Sequence, residues 1–273
     1  MLNARIMALR ILRADWFPRR ERSRQSSWRR PVLRIATTSS AQDSGLLSAL
    51  LLEFSRSVRC RLVVHTVESG KALELLEAGA ADVALTHAPH LELDALRRGA
   101  VATCVPIMTN RYVIVGPTEA VALVSGAIST ADALRRIAAS GHRFVSRADG
   151  SGTHEREREL WVASGFPPDG GAFVTHARTG MAAALRLASE LHAFALCDRS
   201  TFMKFREGLA LRIAYEGNGD LLNGYSAVLP SGDVSRVAVE FAEFLHSARG
   251  RDVIQGYRSE PDGEPLFLPA VAA

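Results

Sequence analysis

The feature that most constrains this chain is a repeated change of hydrophobic period. From Pro31 onward, apolar runs of strand length alternate with segments whose apolar residues recur every three or four positions. In the first cycle, residues 32–36 are a short apolar run and residues 37–40 a polar turn. Residues 43–57 then place Leu46, Leu47, Leu50, Leu51 and Phe54 on one helical stripe. Residues 61–67, 82–86, 102–108 and 112–115 read as further strands, and residues 70–78 and 91–98 as further helices. That order predicts an α/β fold, with helices flanking a sheet. A second unit of the same kind follows Gly116-Pro117. Its helices fall at 130–139, 153–164, 180–190 and 200–206, and its strands at 143–146, 193–197, 211–215 and 225–229. Residues 234–248 read as one last long helix with Val237, Phe241, Phe244 and Leu245 on its apolar face. No segment repeats at a period of roughly 20–50 residues, which excludes a solenoid. The expectation is two lobes of mixed sheet and helix with a ligand cleft between them. Lobe 1 takes 31–116 plus 225–268, lobe 2 takes 117–224, and 1–30 is a basic, disordered leader.

The turns that join strands to helices carry the chemistry. Thr37-Thr38-Ser39-Ser40 lies at one such turn. Helix starts present unpaired N–H groups and a partial positive charge, so they suit anions. Plain N-capping by Ser or Thr is the competing reading. Ser146-Arg147-Ala148-Asp149-Gly150-Ser151-Gly152-Thr153-His154 is the second. Its glycines let the backbone curl, Ser151 and Thr153 offer hydroxyls, and Arg147 offers a permanently charged fork. Here the competing reading is a capped, glycine-rich turn with an Arg147–Asp149 surface pair. Glu68-Ser69-Gly70-Lys71 is the third. Ser69 adds a hydroxyl, while Lys71 reads as a solvated helix residue. Such turns gather at the carboxyl ends of strands, where open α/β sheets bind ligands. Several neutral donors and one arginine suit a compact dianion, because a buried charge must be paired and fully hydrogen-bonded.

Charge and composition remove other classes. The formal net charge of +4 and pI of 9.3 come from one end. Residues 1–34 carry ten arginines against Asp15 and Glu21, which leaves 23 basic and 27 acidic residues in the rest. The main body is therefore slightly acidic, and a nucleic-acid partner is not expected. Cys60, Cys104 and Cys197 are odd in number and have no CxxC spacing, so neither a disulfide framework nor a structural metal is expected. No apolar run reaches the roughly 18–20 residues of a membrane span, and residues 7–12 are too short for a secretory signal. The eight histidines form no HExxH pattern. His87 and His90 flank Pro89 and read as surface-loop residues. No nucleophile elbow, phosphate loop or dinucleotide fingerprint occurs, so an enzyme is not expected. Asp198-Arg199 follows a strand end, where it either shapes the cleft or forms an ordinary salt bridge.

Several of these stretches resemble, in the same order, the tungstate-binding proteins of Tup-type ABC transporters. Ala36-Thr37-Thr38-Ser39-Ser40-Ala41-Gln42-Asp43-Ser44-Gly45-Leu46-Leu47 is similar to the family's ATTTSTQDSGLL. Residues 81–89 resemble its ADVxLxHxP segment and residues 110–117 its NDFVIVGP. Residues 144–154 resemble FVSRGDxSGTH, the most specific motif of the set. The resemblance runs from about Ile35 to Leu229. It implies a class II periplasmic-binding-protein fold, tungstate as ligand, a membrane permease as partner, a periplasmic location, and a monomer without cofactor or metal. It also implies that Thr38, Ser39, Arg147, Ser151 and Thr153 hold the anion, with Gly152 in the same turn and Ser69 keeping the hydroxyl of a family GTG turn. Three departures stand out. TTTS has become TTSS, the glycine after the arginine is Ala148, and GQGMG has become Arg178-Thr179-Gly180-Met181-Ala182. The alternatives are a binding protein for molybdate, phosphate or another small anion, and a cytosolic oxyanion-sensing domain.

Overall fold

A computed structural model describes residues 30–167, 169–217, 219–258 and 263–270. The expected basic leader, apart from Arg30, lies outside the described residues. The first strand, β1 (Val32–Thr37), leads into α1 (Ser39–Ser44), capped by the Thr38 hydroxyl, and then α2 (Leu46–Ser57). The single helix expected over 43–57 is thus two. Gly45, at φ 86°, takes the left-handed conformation that a β-carbon disfavours. A side chain there would also collide with Tyr257 Oη, which donates to Ser44 O at 2.8 Å.

Next come β2 (Arg61–Thr66), α3 (Ser69–Glu77), β3 (Val83–Thr86) and α4 (Pro89–Arg97). The two strands expected near 102–115 are one 17-residue strand, β4 (Val101–Pro117). Thr109, Asn110 and Arg111 interrupt its apolar pattern, but backbone pairing does not stop there. The strand changes partners instead. The remaining elements are α5 (Ala122–Ser125), α6 (Thr130–Ala139), β5 (Phe144–Ser146), α7 (Gly152–Ala163), β6 (Val174–His176), α8 (Met181–Glu190), β7 (Phe194–Asp198), α9 (Arg199–Phe205), β8 (Leu211–Tyr215), β9 (Leu222–Pro230), α10 (Arg236–His246), α11 (Ala248–Gly256) and β10 (Leu268–Pro269). The last long helix expected over 234–248 is α10, which ends two residues earlier. Ser247 is extended (ψ 162°) and its hydroxyl caps a further helix, α11, by accepting from Gly250 N. That helix lies beyond the expected one and was not read from the sequence; α5, β6 and β10 are too short to show a period.

The strands run in the order β2-β1-β3-β9-β4-β7-β5-β6, with β8 and β10 also on β4. Pairing is parallel among β1, β2 and β3 and among β5, β6 and β7, and antiparallel wherever β4 or β9 takes part. From Val101 to Arg111, β4 pairs with β9; from Tyr112 onward it pairs with β7 and β8. The sheet therefore falls into two lobes that share one continuous strand, and each lobe has helices on both faces. In the first, Leu33, Ile35, Phe54, Phe241 and Phe267 fill one face, and Ala36, Ala72, Leu76 and Val228 the other. In the second, Phe144, Trp161 and Phe194 fill one face, and Val113, Val115, Leu185 and Cys197 the other. This apolar burial, at about 25 cal/mol per Å², drives each lobe to form. Among the described residues no helix is long and apolar enough to cross a membrane.

Candidate oxyanion site

Strand register decides which turns meet. The ends of β1 and β2 lie side by side, with Thr37 opposite Thr66 and Val67 N donating to Thr37 O at 2.8 Å. The Thr38 turn and the Ser69 turn therefore leave the same edge of the first lobe. In the second lobe β5 and β6 end together, and Ala177 N donates to Ser146 O at 2.8 Å. Arg147 follows β5 at once and reaches the first lobe: its Nη2 lies 3.5 Å from Ser39 Oγ at the start of α1.

Arg147 is only 2% exposed. It pairs with Asp149, its Nε donates to Thr179 O at 3.3 Å, and its backbone N–H donates to Glu157 Oε2 at 3.4 Å. The Arg147–Asp149 pair is thus buried rather than at the surface. Asp149 Oδ1 also accepts from Ser151 N at 3.1 Å, which ties the loop to its arginine. Arg147 Nη1 is buried without a hydrogen-bond partner among the described residues, as are Ser69 Oγ and Ser40 Oγ. Thr153 is fully buried; its hydroxyl sits beside Tyr112 without a hydrogen bond of normal geometry. Orphaned buried donors cost about 1–3 kcal/mol each, so a cluster of them in a native fold calls for an acceptor.

The capping reading holds at two of the turns and leaves room for the anion reading. Thr38 Oγ1 accepts from Ala41 N at 3.4 Å and Ser151 Oγ accepts from His154 N at 3.3 Å. A hydroxyl that accepts as a cap still has its own hydrogen to donate. Gly152 opens α7 and serves close approach: a β-carbon there would lie 2.9 Å from His87 O. Lys71 is exposed and pairs with Glu74, as a solvated helix residue does. Ser69 makes no direct contact with Arg147; only its strand-end position places it near the cluster. Among the described residues no group of His, Cys, Asp and Glu is arranged to hold a metal ion. A surface hollow of about 170 Å³ beside Arg34, Asp82 and Ser235 shares no residue with this cluster.

Residues 25–249 match the PBP superfamily domain. The chain belongs to that superfamily. The tungstate-binding protein TupA of Peptoclostridium acidaminophilum is 33% identical over 245 residues, covering 87% of this chain and 85% of that one. Among solved structures, the tungstate-binding protein TupA of Desulfovibrio alaskensis G20 superposes with a TM-score of 0.76 at 32% identity, covering 89% of this chain and 100% of that one. The tungstate ABC transporter structure from Geobacter sulfurreducens gives 0.74 at 34%, covering 82% and 97%.

Against that PBP superfamily background, two of the departures from the resembling motifs acquire a geometry. Ala148 and Arg178, which stand where those motifs have glycine, adopt φ of 47° and 50°. Both residues thus adopt a left-handed backbone although neither is the glycine that adopts it freely. Both positions flank the arginine: one follows Arg147 and the other precedes Thr179, whose carbonyl accepts from it.

Residues outside the expected anion-binding set also pack around these turns. His87, read as a surface-loop histidine, is instead 3% exposed, because the end of β3 is covered by α7 and by Tyr112, Asn223 and Tyr225. His90, by contrast, is exposed and pairs with Glu159 of α7. Glu157 lies one helical turn beyond Thr153 on the buried face of α7, a spacing that could have found it. Burial pushes the Glu157 carboxyl up to about 7, and hydrogen bonding from Ser146 and the Arg147 amide offsets this only in part. Asp198 is buried, whereas Arg199 pairs with Glu216, so the Asp198-Arg199 step splits into an interior and a surface residue.

Replacing Ala148 by glycine should relieve left-handed strain and raise stability by up to about 1 kcal/mol, read from the urea midpoint. A second expectation concerns pH. The folded Glu157 holds its proton where the unfolded chain has lost it, so its contribution is full below about 4.5 and declines as pH rises toward about 7. Glu157→Gln should therefore gain stability over the native chain across that window, levelling at the order of 2–3 kcal/mol. Urea unfolding at a series of pH values would show a flat difference if Glu157 titrates normally.

Proposed function

We propose that this chain is the solute-binding protein of an ABC importer, that it captures tungstate or a related tetrahedral oxyanion between its lobes, and that it delivers the anion to a membrane permease. The observation that carries this reading is the buried Arg147 guanidinium, whose Nη1 has no partner among the described residues and whose Nη2 reaches Ser39 across the cleft. Thr38, Ser39 and Ser69 from the first lobe and Arg147, Ser151, Gly152 and Thr153 from the second are the proposed anion-binding set. Their hydroxyls and helix-start N–H groups replace the anion's water, and the arginine supplies the charge. Asp149 takes up part of that charge beforehand, so the site as a whole does not demand a large excess of anionic charge.

Relatives named as tungstate-binding proteins over most of their length support the choice of ligand. Their names also support a role as carrier rather than enzyme, and the relative described as a tungstate ABC transporter supports a permease partner; a periplasmic location is part of the same proposal. The lobe limits 31–116 plus 225–268 and 117–224 belong to this proposal. The exchange of β4 partners after Arg111 supports a hinge close to them, and hinge closure about a ligand is a common switching mode.

Calorimetric titration with tungstate, molybdate, sulfate and phosphate tests the assignment. Tungstate and molybdate should bind and the smaller anions should not; a preference for phosphate would overturn the ligand class. Arg147→Ala should weaken tungstate binding by about 2–4 kcal/mol and Ser39→Ala by about 1 kcal/mol. Unchanged affinity in Arg147→Ala removes the arginine from the site.

A further inference from the structure

We propose that His87 is a positioning residue of the anion site: it seats the first turn of α7 against the first lobe, and Asp198 fixes the tautomer of its ring through Asn223. This rests on the oxyanion-binding reading above.

His87 is held along its main chain, on one ring face and at Nδ1, while its Nε2 is buried without a hydrogen-bond partner among the described residues. Glu92 Oε1 accepts from Thr86 Oγ1 at 2.7 Å and from Ala88 N at 3.1 Å, which fixes the main chain before and after it. The ring stacks on Tyr225, with centroids 4.8 Å apart and planes at 24°. Its Nδ1 lies 3.0 Å from Tyr112 Oη and 3.1 Å from Asn223 Oδ1.

The hydrogens follow from the acceptor at the far end. Asp198 Oδ2 accepts from Asn110 Nδ2 at 2.6 Å, Tyr225 Oη at 3.0 Å and Asn223 Nδ2 at 3.1 Å. Its Oδ1 accepts from Ser200 N at 2.9 Å, from Thr201 N at 3.3 Å and from the Ser200 hydroxyl. A carboxylate only accepts, so the Asn223 amide must point its nitrogen at Asp198 and its oxygen at His87. Asn223 Oδ1 also only accepts, so the hydrogen of the neutral ring sits on Nδ1. Second-sphere groups set histidine tautomers in this way at many sites.

The ring then meets the anion-binding turn. A β-carbon on Gly152 would lie 2.9 Å from His87 Cε1 and 3.0 Å from Nδ1. Gly152 stands between the Ser151 cap and Thr153, so His87 is the wall on which that turn rests. Burial holds the imidazole neutral, pushing it down to about 4, so it lies against the start of α7, in the field of Arg147, without charge repulsion. The same polar node marks the strand exchange. On β4, Asn110 pairs with Asn223 of β9 and, two residues on, Tyr112 pairs with Asp198 of β7. The groups that fix the ring are those that join the lobes.

Side-chain nitrogen NMR of the ligand-free protein at neutral pH tests the tautomer. The signals absent from His87→Asn identify the ring. Protonated Nδ1 with bare Nε2 is expected, and mixed tautomers in Asp198→Asn; an Nε2-protonated ring in the native chain overturns the relay. Binding tests the seat. His87→Ala should weaken tungstate binding about tenfold, carried by faster dissociation. His87→Asn, whose amide nitrogen overlays Nδ1, should recover most of the loss. Native affinity in the alanine variant, or no recovery in the asparagine variant, overturns it. If the native chain binds no tetrahedral oxyanion, the function proposed above fails by itself. Amide exchange at Thr153 and His154 then still judges the seat: faster exchange in His87→Ala supports it, and unchanged exchange sinks it.

Discussion

A guanidinium removed from water has to be compensated, and the rest of this structure is organised around how Arg147 meets that demand. An unpaired buried charge costs several kcal/mol. Asp149, the Thr179 carbonyl and the Ser39 hydroxyl supply part of the compensation, and they come from three different segments. Asp149 is two residues away and also ties down Ser151, so the loop that carries the charge is folded around its own counter-ion. What remains are the two N–H groups of Nη1 and the buried hydroxyls of Ser40, Ser69 and Thr153, from which no described group accepts. That surplus of donors over acceptors is what the proposed oxyanion, with many lone pairs and no hydrogen to give, would answer.

Mechanical organisation follows from a single strand. Because β4 belongs to both lobes, the middle residue of its polar stretch Thr109-Asn110-Arg111 is carried into the interior, while Arg111 stays exposed. Asn110 is buried and spends its amide on Asp198. The Asp198 carboxylate, with six donors, draws β4, β7, β9 and α9 to one point, and a buried acceptor so fully supplied with donors rigidifies what it joins. The lobes are therefore connected through a specific polar node as well as by apolar packing.

The alternation of strand and helix was legible because each lobe buries both faces of its sheet, which forces apolar runs for strands and stripes for helices. Thr130–Ala139 and Leu211–Tyr215 matched to the residue for that reason. Helix ends set by contacts outside the apolar stripe were not legible. Gly45 splits the helix expected over 43–57 just before its stripe begins, where Tyr257 packs, and Ser247 ends α10 just after its stripe and caps α11. The β4 strand shows the converse: a polar interruption in sequence that the backbone ignores, since its hydrogen bonds depend on partners and not on side chains.

Residue types at the turns determined much of the candidate site by themselves. Hydroxyls, glycines and one arginine at strand-to-helix junctions have few chemical uses, and those uses do not depend on distant residues. Tertiary structure alone decided how the turns meet: that Arg147 reaches Ser39, that its aspartate pair is buried, and that His87 lies inside the molecule against Gly152. Each is a contact between segments far apart in the chain, fixed by strand register and by which strand end abuts which helix start. Local pattern carries no such information, because the same turn can cap a helix at the surface or close a cleft, and only its neighbours in space distinguish the two.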